Sequence, residues 1–173
     1  MPLIRNGQLV EDRYVRVLDD TPLADGVPVI VPAARFLADA DDILRRETPT
    51  GVLWPNNRRV AELAAYVDRL ALIVLMFPTF KDGRAYSQAR QLRERYAFHG
   101  ELRATGQILR DQFLFMARAG FNAFEVKKAS DAEAFVEALH AFSLRYQPAA
   151  DGSPHSFRSR LNPFFHTAQR SDP

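Results

Sequence analysis

At 173 residues, with 47% hydrophobic and 25% charged side chains, the chain has the composition of one globular core, which excludes a disordered protein and leaves little room for two independent domains. A formal net charge of only +2 gives no broad positive field, so nucleic acid is not expected as a partner. The lack of cysteine excludes thiolate-held zinc, cysteine-ligated iron–sulfur clusters, disulfide exchange and cysteine nucleophiles.

From the N-terminus, Ile4 to Leu18 alternates around Asn6-Gly7, a turn dipeptide that predicts a hairpin, with Tyr14, Val15 and Val17 as further strand residues. Met1 to Asp12 has no apolar leader, and no stretch approaches the roughly 20 apolar residues of a membrane helix; a cytoplasmic protein with no membrane partner is the expectation. Val27 to Val31 is a short valine-rich strand, and Ala33 to Arg45 follows Pro32 as a helix through Phe36, Leu37, Ile43 and Leu44.

Gly51 to Trp54 is a strand closed by Pro55 and two asparagines, and Val60, Leu63, Ala64, Val67 and Leu70 follow at helical spacing. Leu72 to Phe77 is an unbroken apolar run, the pattern of a strand buried on both faces at the centre of a parallel sheet. A loop over Pro78 to Gly83 leads to a helix through Ala85, Ala89, Leu92 and Tyr96, ended by Gly100. Glu101 to Ala104 is the next strand. Gly106 opens a helix carrying Ile108, Leu109, Phe115, Met116 and Ala119, and Gly120 stops it. Ala123 to Val126 is another strand, and Phe135, Val136, Leu139 and Phe142 mark a last helix.

Regular alternation with short connections predicts an α/β fold with a parallel sheet of four to five strands, right-handed crossovers and an N-terminal β-hairpin. No connection is long enough to demand a jump in strand order, which favours a half-barrel-like sheet over the alternative, an open flavodoxin-like one. Residues 1–146 are taken as a single domain, with 1–26 as its hairpin extension. From Gln147, a Pro- and Ser-rich tail runs to residue 173. A half-barrel leaves a flank to be covered, which makes a homodimer an expectation too.

In such folds the loops after the strand C-termini share one edge, where ligands bind. Those loops are Pro55 to Arg58, Pro78 to Arg84, Thr105 to Gln107 and Lys127 to Ser130. Asp82 ahead of a helix reads first as an N-terminal cap, and otherwise as a general base or a metal ligand, though a lone carboxylate gives little metal specificity. Arg84, Arg103 and Arg110 form a candidate anion set, or else pair with Glu101 and Asp111 in a structural network. Tyr86 and Ser87 can hydrogen-bond a small anion, or simply pack and bond locally. Arg90, Arg93 and Arg95 beside Glu94 read as a solvated helix face.

Four histidines scattered at His99, His140, His155 and His166 do not make a metal set, so no metal is expected. The chain lacks the serine-hydrolase elbow, the P-loop and the glycine-rich dinucleotide fingerprint. No cofactor is assigned, and flavin stays open.

Phe77, Pro78, Phe80, Asp82, Gly83, Arg84, Tyr86, Ser87, Ala89 and Arg90 stand in a distinctive pattern. It continues through Leu92, Arg93, Gly100, Glu101, Leu102, Arg103, Gly106, Leu109, Arg110, Asp111, Gln112, Gly120, Phe121 and Phe124. From about Val27 to Tyr146 the chain resembles a bacterial family of unknown function, domain of unknown function 934, whose members are often named as oxidoreductases involved in sulfite reduction. Met76 and Asn122 stand where relatives often carry acids, so no role is assigned to a carboxylate at either position. The resemblance implies a place in assimilatory sulfite reduction beside a sulfite or nitrite reductase. It points to an accessory protein that docks on the reductase system through Phe80, Lys81 and Arg90. The alternative is a small oxidoreductase or anion-binding enzyme whose site, at the strand C-terminal edge, uses Asp82, Arg84, Tyr86, Ser87, Arg103, Arg110 and Asp111.

Overall fold

The computed structural model describes residues 1–128. The helix expected through Phe135 to Phe142 and the tail from Gln147 lie outside them. Strands β1 (Leu3–Arg5), β2 (Gln8–Val10), β3 (Val15–Arg16), β4 (Val29–Pro32), β5 (Thr50–Trp54), β6 (Leu72–Phe77), β7 (Glu101–Gly106) and β8 (Ala123–Glu125) form one sheet in the order β2-β1-β8-β7-β6-β5-β4-β3. From β4 to β8 the strands are parallel and follow chain order, as the short connections require.

The hairpin forms at Asn6-Gly7, where φ values of 51° and 79° give the left-handed pair of a type I′ turn. The N-terminal segment then crosses the molecule. β1 pairs antiparallel with β8, Ile4 opposite Phe124, while β3 pairs parallel with β4, Val15 opposite Val29. One short segment, Glu11 to Tyr14, thus spans from one side of the parallel sheet to the other.

A flat sheet would separate β3 from β8 by five strand spacings, about 24 Å. Arg16 of β3 nevertheless reaches Glu125 of β8 at 2.5 Å. The sheet is therefore curled into a half-barrel, and the face on which these two side chains meet is the concave one. Alternate residues of β6 divide between the faces: Ile73, Leu75 and Phe77 join the large convex core, while Leu72 and Val74 join a smaller concave cluster with Ile30. The convex face is covered by α1 (Ala33–Ala38), α2 (Ala40–Leu44), α3 (Arg84–Arg90) and α4 (Phe113–Arg118).

Three expected helices differ from what forms. The segment Ala33 to Arg45 breaks at Asp39, whose φ of −127° leaves the helical region; three aspartates within Asp39 to Asp42 give this stretch weak helix propensity. Between Val60 and Leu70 there are two 3₁₀ turns, Val60–Leu63 and Val67–Arg69. Their buried residues, Val60, Leu63 and Val67, recur at intervals of three and four, a spacing that two short three-residue turns satisfy as well as an α-helix does. After β7, the helix starts at Phe113 instead of near Gly106. Gly106 has φ +99°, and a Cβ there would lie 2.3 Å from the Phe77 carbonyl oxygen. That close approach requires glycine and sends Gln107 to Leu109 out as a loop.

Candidate functional site

The connection after β5 and the connection after β6 run side by side down the convex face. Between them lies a cleft of about 610 Å³. One wall is the loop Asn56 to Arg59 with Val60 and Ala61; the other is α3 and the π-helical turn Gln91–Arg95 that extends it. Gln88 fastens the walls together, its Nε2 donating to the carbonyls of Pro55 at 3.1 Å and Arg58 at 2.8 Å. That orientation leaves Gln88 Oε1 buried with no hydrogen-bond partner among the described residues.

Four arginines line the cleft: Arg58, Arg59, Arg84 and Arg95. Arg58 lies over the Trp54 ring at 5.7 Å and faces Glu62 at 3.4 Å. Arg84 pairs with Asp82 at 2.6 Å. This bond, the Arg84 amide and a weaker contribution from Asn56 hold the Asp82 carboxyl well below the usual carboxylate range, and Arg84 is raised in turn. Among the described residues, neither Arg59 nor Arg95 has a carboxylate partner; Arg95 lies over the Tyr96 ring at 5.6 Å. The lining therefore carries four cations and no acid.

Of the residues singled out in the sequence, Arg84 and Ser87 line this cleft, and Asp82 orients Arg84. Tyr86 turns inward: its ring meets Phe77 edge-on at 5.3 Å and Phe121 at 6.5 Å, and burial followed by the charge of Asp111 raises its hydroxyl above the ordinary value. Asp111 is exposed, and Arg110 begins the 3₁₀ turn Arg110–Gln112. Phe80 is 40% exposed, with Lys81 over its ring at 5.6 Å. Arg90 is exposed opposite Glu94. Arg93 departs from the solvated face expected for it. The π-helical turn rotates it inward, where it donates to the carbonyls of Gly120, Phe98 and Gly100, and burial lowers its pKa.

The structure does not bring Arg103 to Arg84. Arg103 lies on the concave face, fully buried, and its guanidinium meets Asp12 at 2.7 Å, Glu101 at 2.8 Å and Glu125 at 3.1 Å. Tyr14 of the crossing segment covers it at 5.7 Å. Glu125 also accepts from Thr105 Oγ1 and Arg16, and Arg5 approaches Glu101 at 3.6 Å. Burial alone would lower the Arg103 pKa, but Asp12 and Glu101 more than reverse this and raise it. Burial would likewise raise Asp12, yet the Arg103 bond, the Tyr14 amide and the charges of Arg103 and Arg16 bring it below its ordinary value.

Sequence reasoning placed Asn56 and Arg58 in an edge loop without giving either a role, and missed Arg59, Gln88 and Arg95 as cleft residues. The run Asn56-Asn57-Arg58-Arg59, placed directly after a strand closed by Pro55, was the signal available for that wall of the cleft. The fold and the cleft define a class, an α/β half-barrel with a cationic cleft between two crossover connections. The family described as a bacterial protein of unknown function (DUF934) matches residues 51–157, more than half of the chain, and this chain belongs to that family. No curated protein matches it at a significant level. Among the described residues, no helix is long and apolar enough to cross a membrane.

Proposed function

We propose that this chain is an anion-binding protein of assimilatory sulfite reduction, with its site in the cleft beside the strand C-terminal edge. The observation that carries the binding reading is the lining of four arginines with no acid, two of which, Arg59 and Arg95, lack a carboxylate partner among the described residues. Guanidinium groups recognise oxyanions by paired N–H donors, and two cations left unneutralised in one cleft are free to do so. The pathway comes from the family resemblance. Titration of the purified protein with sulfite, sulfate and phosphate tests the reading: binding that weakens with added salt and falls at least tenfold in Arg59→Ala is expected, and no binding of any of the three overturns it.

A second reading, docking on a sulfite or nitrite reductase, has its own support. Phe80 and Leu109 are 40% and 42% exposed, and Gln112 joins their loops by donating to the Phe80 carbonyl and accepting from the Leu109 amide. Two exposed apolar side chains on linked loops, with Lys81 over the Phe80 ring, make a small patch suited to a protein surface. Retention of the reductase that is lost in Phe80→Ala would carry this reading.

A further inference from the structure

The cleft is longer than a small oxyanion needs. Arg84 and Arg95 stand eleven positions apart on one continuous helical stretch, which separates their backbones by about 16 Å along its axis. The volume, about 610 Å³, falls in the range of cofactor-sized sites.

Its two ends also differ in chemistry. Toward the strand edge, Arg58 and Arg84 are held in place by Trp54, Glu62 and Asp82, with the Ser87 hydroxyl beside them: donors suited to a charged oxygen group. At the far end, Arg95 lies over Tyr96, so a planar guanidinium backed by an aromatic ring forms a stacking platform. Between the ends, Gln88 Oε1 is an acceptor left without a donor.

We propose that the cleft binds a nucleoside phosphate. The phosphate lies against Arg58, Arg59 and Arg84, and the base stacks on the Arg95–Tyr96 pair. This rests on the anion-binding reading above and specifies its ligand class.

Isothermal titration calorimetry on the full chain tests it with four probes: ADP, inorganic phosphate, adenosine and a glutamate decapeptide. The expected result is ADP binding at least tenfold more tightly than phosphate or adenosine. Arg95→Ala, at an exposed position, should remove most of the advantage of ADP over phosphate, with a smaller loss of phosphate binding. Arg59→Ala should weaken both. Equal affinity for ADP and phosphate overturns the nucleotide assignment and leaves the anion site standing. Tighter binding of the decapeptide than of ADP overturns it in favour of an acidic protein segment. If neither ADP nor phosphate binds, the nucleotide assignment falls, and the anion reading falls with it unless sulfite or sulfate binds.

Discussion

The two faces of the half-barrel handle arginine in opposite ways. On the concave face Arg5, Arg16 and Arg103 meet Asp12, Glu101 and Glu125, three cations against three acids. In the convex cleft four arginines line the walls, and among the described residues only Glu62 and Asp82 pair with them. A charge removed from water must be matched within the fold, because an unmatched buried ion costs several kcal/mol. A charge at an open surface carries no such requirement. The balanced set is therefore the mark of structure, and the unbalanced set the mark of a surface kept available for something else.

Removing the centre of the balanced set should have the largest effect. Arg103→Met leaves three carboxylates facing one another in the concave interior, and a loss of about 3–5 kcal/mol is expected in urea unfolding at neutral pH. A loss below about 1 kcal/mol would mean that the network is solvated and that the contrast between the faces is false.

The second effect is one of pH. The folded pKa of Asp12 is depressed, so its contribution to stability is fully present above the unfolded value near 3.8 and is lost as pH falls through the lower folded value. Asp12→Asn should flatten the acid limb of the stability curve below about pH 4, without altering anion binding at neutral pH. An unchanged acid limb would show that the crossing segment is not held by this ion pair.

The smallest effects belong to the cleft. Arg59→Ala and Arg84→Ala should each change stability by no more than about 0.5 kcal/mol, since both side chains are exposed and the one ion pair lost, Arg84 with Asp82, is a surface pair. A destabilisation of about 2 kcal/mol in either variant would assign these arginines to the fold and remove the basis for a binding site.

Much of the sheet was legible because its signals are local. The unbroken run Leu72 to Phe77 has the pattern of a strand covered on both faces, Asn6-Gly7 marked its turn, and short connections favoured sequential order. The crossing segment was not legible, because its meaning lies in partners far along the chain: Arg103 is 91 positions from Asp12, and no local pattern announces that pairing. Glu101, two residues from Arg103, was the one network partner near enough to be named. The cleft was half legible. Arg84 and Ser87 stood out beside a strand end, but Gln88 acquires its place through the carbonyls of Pro55 and Arg58, 30 or more positions earlier, and Arg95 through the turn that follows α3, whose π-helical winding the apolar spacing does not encode.

The crossing segment also sets the order in which the protein can be completed. Strands β4 to β7 follow one another, and each finds its neighbour as soon as the next unit leaves the ribosome. The first residues emerge earliest, yet β1 has no place in the parallel sheet until β8 exists, and Arg16 meets Glu125 across 109 positions. Contacts of such separation form late, because the entropy of closing so long a loop is lost before any contact offsets it. The opening of the message is thus the last part of the molecule to be put to use. A chain halted before Ala123 would hold its parallel strands with β1 and β2 hanging free and Arg103 lacking one of its three acids.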